Sequence, residues 1–214
     1  MKNLFIVGAG GFGREIACLL DEIQRIQGQL WNVAGFLDDT ENPLHGKECN
    51  LSVVGTIRDY TPAGDDILVM GIASPQAKIR LVPMLKQKGA VFASIIHPYA
   101  YLGEHNSIGE GVVIYGGFSM SVNCRIGNFT TLLSSQIGHD CEIDDYSTIS
   151  GQCNLMGGVR IGKSVFMGGN VAIAPKIIVG EEAYICVGSV LVKDVRPGVK
   201  MLGNPAKEIG MAFK

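Results

Sequence analysis

The residue best placed by type for proton transfer in this 214-residue sequence is His139, in the segment Ile137-Gly-His-Asp-Cys-Glu-Ile143. An imidazole titrates near pH 6.5, so it can take a proton from an amine or a hydroxyl at neutral pH and pass it on. Asp140 follows directly. A carboxylate beside the ring would orient it and stabilise its protonated form; a carboxylate or carbonyl from elsewhere is the alternative. The other three histidines compete poorly. His45 lies in a polar stretch, His97 precedes Pro98 where the pattern of the chain changes and reads as a structural hinge, and His105 stands well before His139. A zinc site needs three protein ligands and an open position, which these histidines do not supply, so no metal is expected.

A second candidate is Gly8-Ala9-Gly10-Gly11-Phe12-Gly13. It follows a short apolar run and precedes a helical pattern, the context in which a GxGxxG turn presents backbone amides to a phosphate at a helix N-terminus. Arg14 would help balance phosphate charge. Asp38 and Asp39 end the next apolar run, where a carboxylate binds a ribose hydroxyl. The motif taken alone suggests NAD; the alternative is a glycine turn that serves the fold and binds nothing.

These groups need elements to hold them. Residues 1–97 alternate between apolar runs and helical periodicity. LFIVG at Leu4–Gly8, WNVAGFLDD at Trp31–Asp39, DILVMGIA at Asp66–Ala73 and VFASII at Val91–Ile96 read as strands, with short extended pieces around Val53 and Ile57. Phe12–Ile26 carries Ile16, Leu19, Leu20, Ile23 and Ile26 at helical spacing, and Pro75–Lys88 reads as a helix capped by Ser74. The expectation is a small α/β domain with a parallel sheet.

From His97 onward helical periodicity stops. An aliphatic residue recurs every six positions from Leu102 to Leu132, one residue is skipped, and the series resumes at Ile137 and runs to Leu191. A period of six fits one face of a triangular parallel β-helix, with about eighteen residues per coil and about five coils. The aliphatics point inward. Two residues before each lies a second inward position that must be smaller, which explains Cys124, Cys141 and Cys153 as core side chains rather than ligands. In this phase His139 points outward, just after the skipped residue. The segment 196–214, with Pro197, Gly198, Gly203 and Pro205, reads as a loop and tail packing on the column.

Composition narrows the function. The 18 basic and 20 acidic residues give a net charge of -2, so binding to nucleic acid through a broad positive field is not expected. No apolar run is long enough to span a membrane. The N-terminus makes a poor signal peptide and the 6 cysteines form no CxxC pair, so a cytoplasmic protein with free thiols is expected.

The whole pattern resembles the hexapeptide-repeat sugar O- and N-acetyltransferases of the NeuD and PglD branch. The similar segments are Ile6–Glu15, Phe36–Asp39, Ile96–Pro98, Ile137–Ile143, Gly188–Val195 and Gly203–Lys207. The resemblance implies a Rossmann-like domain over 1–97, a left-handed parallel β-helix over 98–195, and a homotrimer with active sites between neighbouring columns. It implies acetyl-CoA as donor and a nucleotide-linked amino sugar as acceptor, its pyrophosphate at Gly10–Gly13 and its nucleoside at Asp38 or Asp39. Sialic acid or another sugar hydroxyl is the alternative acceptor, and a non-catalytic nucleotide-sugar-binding scaffold the alternative of another class. His139 and Asp140 match the catalytic positions of the branch. The thioester arm would lie along backbone exposed by Gly157, Gly158, Gly168, Gly169 and Gly188, with Lys176 or Lys193 on CoA phosphates. The N–H near Gly157 would face the developing oxyanion. Members of the branch can carry a second histidine nine residues beyond the first; Thr148 stands there in this chain and is expected to contact the donor through its hydroxyl.

Overall fold

A computed structural model of the protein describes residues 1–212; the last two residues of the expected tail lie outside it. Strand β1 (Asn3–Val7) runs into the glycine turn and helix α1 (Gly11–Gln27), and β2 (Asn32–Leu37), β3 (Val53–Gly55) and β4 (Ile67–Met70) complete a sheet in the order β3-β2-β1-β4. Its ladders are parallel. Helix α1 buries Ile16, Leu19, Leu20 and Ile23 against the sheet, while Ile26, also at helical spacing, is exposed near the C-terminus. A side chain at Gly13 would run into the Gly8 carbonyl, so only glycine lets the helix lie this close to β1. Helix α2 (Pro75–Gln87) begins at Ser74, whose hydroxyl accepts from the Ala77 N–H.

The run at Val91–Ile96 does not form a strand of this sheet. Phe92 alone bridges to Leu68, whereas Ile95–Ile96 pairs with Val113–Ile114 and is the first rung of the column. Ile96 lies six residues before Leu102, so the hexapeptide series starts one unit earlier than expected.

The column is the left-handed parallel β-helix. Its three faces are built from two-residue rungs. Face 1 holds Ile95–Ile96, Val113–Ile114, Thr131–Leu132, Thr148–Ile149, Phe166–Met167 and Tyr184–Ile185. Face 2 runs from Tyr101–Leu102 to Val190–Leu191, and face 3 from Ser107–Ile108 to Ile178–Val179. Six rungs on each of the first two faces and five on the third make nearly six coils, one rung more than the aliphatic series from Leu102 to Leu191 implies. The series Met120, Ile126, Leu132, Ile137 and onward lines the interior, and most members are essentially solvent-free. The second inward position is not uniformly small. Cys124, Thr130, Cys141, Ser147, Cys153 and Ala183 occupy it in some coils, but Val112, Phe118, Val159, Val165 and Val171 do so in others, all buried. What the position requires is complementary volume across the prism.

Most corners are turned by a residue with positive φ three places after the inward aliphatic, and many of these are not glycine: His105, Asn123, Phe129, Asp140, Tyr146, Gln152 and Lys176 all lie between 54° and 62°. Rungs above and below over-determine this left-handed conformation, which is costly for a residue with a Cβ. The corners after the first rung, at Ile96, and after Leu191 hold no positive φ, and neither does the corner from face 1 to face 2 after Leu132, which is also one residue short. The skipped residue therefore lies at the edge of face 2 opposite the corner that carries His139.

Residues 199–211 are not a loop. Val199–Gly203 continues face 1 beside Tyr184–Ile185 and folds back on Ala206–Met211 as an antiparallel pair. The α/β domain docks on face 1. The Lys78 ammonium of α2, with no exposed surface, donates to the Phe129 and Ser147 carbonyls at 2.9 and 3.0 Å and to the Thr148 and Thr131 hydroxyls at 2.9 and 3.3 Å. Phe92 meets Phe129 edge-on, and Phe12 stacks on Tyr115.

Candidate active site

His139 stands on the corner between faces 2 and 3, its side chain 64% exposed, as an outward position requires. Its Nδ1 lies 2.6 Å from Asp140 Oδ2. The hydrogen bond from His139 holds the Asp140 carboxyl below its ordinary value, and the Asn123 amide, one coil below on the same corner, acts in the same direction. An ionised carboxylate can only accept, so Nδ1 carries the proton and Nε2 presents a lone pair. Asp140 reaches its neighbour because its backbone takes the left-handed corner conformation, φ 57°.

Gly157 lies directly above the ring. A methyl there would sit 2.6 Å from His139 Cε1 and closer still to Nε2. The Gly158 N–H donates to the His139 carbonyl, and the Gly157 N–H has no backbone acceptor among the described residues. A base and an uncommitted amide donor therefore stand side by side, the pair needed to deprotonate a nucleophile and to stabilise an oxyanion. Gly157→Ala is expected to push the imidazole off this position and lower kcat about 10-fold or more, with the circular dichroism spectrum unchanged; steady-state kinetics check this.

The remaining predicted residues divide among separate places. Gly158 and exposed Lys176 continue the His139 corner upward, and the Lys176 stem packs over Gly158. Gly168, Gly169 and Gly188 lie on the opposite edge of face 2; a side chain at Gly168 would meet the Val187 N–H at 2.7 Å, so corner stacking already requires that glycine. Thr148 is a correction. It is buried on face 1, where its hydroxyl donates to the Ala73 carbonyl and accepts from Lys78, so it belongs to the domain junction and not to a site beside His139.

The glycine turn opens into a cavity lined by Gly8, Gly10, Gly11, Phe12, Asp38 and Asp39. Asp38 is engaged on both oxygens, accepting from the Ala9 and Thr40 N–H groups, and so holds the turn in shape. Asp39 accepts from the Arg58 N–H through Oδ1 alone, which leaves Oδ2 for a ligand. Arg14 folds back toward Gly11 on the other flank of α1. This turn and His139 are not together in one chain, because the domain docks on face 1 and His139 lies on the corner opposite that face.

Residues 3–85 match the family model described as the PglD N-terminal domain. Over 97% of this chain and 96% of its own length, a GDP-perosamine N-acetyltransferase of Escherichia coli O157:H7 is 30% identical. The chain belongs to the PglD branch of hexapeptide-repeat acetyltransferases. WeeI from Acinetobacter baumannii AYE superposes on this acetyltransferase with a TM-score of 0.85 at 26% identity, covering 98% of this chain and all of that one. The acetyltransferase domain of PglB from Neisseria gonorrhoeae FA1090, in complex with acetyl coenzyme A, gives 0.84 at 23% identity over 97% and 99%. Among the described residues of the acetyltransferase no three His, Cys, Asp or Glu side chains stand together as a metal site, and no helix is long and apolar enough to cross a membrane.

The sequence reading missed Lys78 and Asn123. Asn123 was within reach of it, because it occupies the corner phase of Asp140 one coil below. Lys78 was not, because its partners are 51 to 70 residues away and are reached only once the column has coiled.

Proposed function

We propose that this acetyltransferase transfers the acetyl group of acetyl-CoA to the amino group of a nucleotide-linked sugar, as a homotrimer. The observation that carries the chemistry is the exposed His139–Asp140 pair with Nε2 against Gly157. His139 Nε2 takes a proton as the amine attacks the thioester carbonyl. The Gly157 N–H donates to the oxyanion, and Asp140 balances the imidazolium. On collapse the C–S bond breaks, the proton passes from Nε2 to the leaving thiolate, and an amide and free CoA result. Lys176, above the site on the same corner, suits a CoA phosphate. The glycine turn suits the acceptor's pyrophosphate, and Asp39 its nucleoside.

More than one copy is supported by the separation of the glycine turn from His139, and by the placement of Gly168, Gly169 and Gly188 at the far edge of face 2. A trimer of parallel columns would set one subunit's His139 corner against another's opposite edge. The name of the Escherichia coli relative supports an amino acceptor. A thiol-release assay with acetyl-CoA against GDP- and UDP-linked 4-amino and 3-amino sugars and free sialic acid tests the reading. Turnover is expected with a nucleotide amino sugar; turnover with sialic acid alone would move the assignment to O-acetylation. Asp140→Asn is expected to lower kcat about 10-fold with both KM values retained, since it removes the charge that supports the imidazolium and not a binding contact.

A further inference from the structure

The short corner after Leu132 loses a residue without losing its hydrogen bonds. The rungs on both sides of it stay in register: Leu132 pairs with Ile114 below and Ile149 above, and Ile137 with Met120 and Leu155. The deficit is therefore absorbed in the corner alone. What is missing is the tip. In the coil above, the tip is Gln152, left-handed at φ 61°, and its N–H donates to the Ser134 carbonyl one coil down. Asn170 and Gly188 continue this ladder upward, onto the Gly151 and Gly169 carbonyls. By the same pattern the absent tip would donate to the Gly116 carbonyl. The Ser134 hydroxyl donates there in its place, at 2.5 Å. Ser135 follows at once as a buried inward residue, its hydroxyl accepting from the Cys153 N–H and donating to the Ser150 carbonyl. A backbone acceptor that would otherwise lack its partner is thus satisfied by a side chain. The outermost residue is gone, and a recess is left in the edge of the column between Gly117 below and Gln152 above, both exposed.

His139 belongs to the same coil. The rung Gln136–Ile137 crosses face 2 from the recess to the His139 corner. Rotation about an axis parallel to the columns moves nothing along that axis. In a homotrimer of parallel columns the recess of one copy therefore stands level with His139 of the next.

We infer that the short corner is a positioning element of the acetyl-transfer site, supplied by the second copy. It leaves room beside the neighbouring copy's Nε2 for the carbonyl carbon that passes from sulfur to the acceptor. A complete corner would put the backbone of its tip residue into that space. The inference rests on the reading of the protein as a homotrimeric acetyltransferase and adds the part of the second copy that the chemistry needs.

The test restores the tip by inserting one glycine between Ser134 and Ser135 of the full-length protein. The corners directly below and above already have the six-residue spacing this creates, so a trimer with an unchanged circular dichroism spectrum is expected. Its kcat is expected to fall about 100-fold, the scale of a misplacement of about 1 Å at the reacting centre. The insertion chain keeps His139, and the His139→Ala chain keeps the short corner. Co-refolded in equal amounts, they should recover about a quarter of wild-type activity, because one site in about four then joins an intact histidine to a short corner. Gln152→Tyr fills the recess from above without an insertion, at a left-handed corner of the kind that Phe129 and Tyr146 already occupy. It should lower kcat in the same way and be rescued by the same partner. Near-normal turnover in both variants overturns the inference. So does a mixture that contains mixed trimers and stays at background, which would mean that the added bulk disables the histidine of its own chain. A wild type that is monomeric, or that acetylates no nucleotide amino sugar, defeats the parent reading instead, and is seen before either variant is made.

Discussion

Replacing His139 with alanine is expected to lower the rate of acetyl transfer at least about 100-fold, with the column intact and acetyl-CoA still bound. The imidazole is exposed and contributes nothing to the core, so its removal should leave the unfolding midpoint unchanged. Its loss removes both the lone pair that accepts the amine proton and the relay that returns the proton to the leaving thiolate. His139→Asn should behave the same way, because a carboxamide fills the space and cannot accept a proton at neutral pH. The residual rate measures what positioning and the Gly157 N–H supply alone. Single-turnover kinetics separate this loss from any change in product release. Near-normal turnover in either variant would remove His139 from the mechanism.

Lys78→Met is expected to cost about 3 kcal/mol or more of stability. The methionine keeps most of the buried stem but withdraws the donor from two carbonyls and two hydroxyls at the domain junction. Each buried acceptor left unpaired costs about 1–3 kcal/mol. Burial also holds the Lys78 pKa well below the ordinary 10.5. Between that lowered value and 10.5 the unfolded chain binds a proton that the folded chain has released. Stability should therefore rise with pH toward 10.5 through this residue, and the Met variant should lack the rise. Denaturant titrations of both proteins across that range check the sign. Because the Thr148 hydroxyl held by Lys78 also donates to Ala73, beside the glycine turn, KM for the nucleotide sugar should rise more than KM for acetyl-CoA.

The column was legible because its signal is periodic and local: a single aliphatic every six residues determines which side chains face inward, and hence that His139 faces out. The first rung was misread because Val91–Ile96 is as apolar as a buried parallel strand, and periodicity alone cannot say which of two sheets such a run joins. The C-terminal hairpin was hidden by its prolines and glycines, which mark turns equally well between strands and in loops. The pairing of Asp140 with His139 was a guess from adjacency. What makes it geometrically possible is the left-handed corner, and the φ of an Asp residue is not written in its spacing. Thr148 shows the converse. Its phase correctly gives an outward side chain, but outward on face 1 means buried under another domain. Lys78 depends on how the two domains dock, and the division of Asp38 from Asp39 depends on which backbone amides of the α/β domain reach each carboxylate, neither of which a local pattern encodes.

In the proposed assembly one copy's glycine turn serves another copy's His139. Its most direct test mixes two inactive chains. Gly10→Asp places a carboxylate where the acceptor's phosphate is proposed to lie, in a position with no atom within 4 Å of the new Cβ, so the fold should survive. His139→Ala removes the base. Neither variant should turn over alone. Co-refolded in equal amounts, they are expected to recover about a quarter of wild-type activity, the fraction of sites that pair an intact turn with an intact histidine in randomly mixed trimers. If the mixture stays at the background of its parents while mixed trimers are present, turn and histidine do not combine across subunits, and the account is wrong.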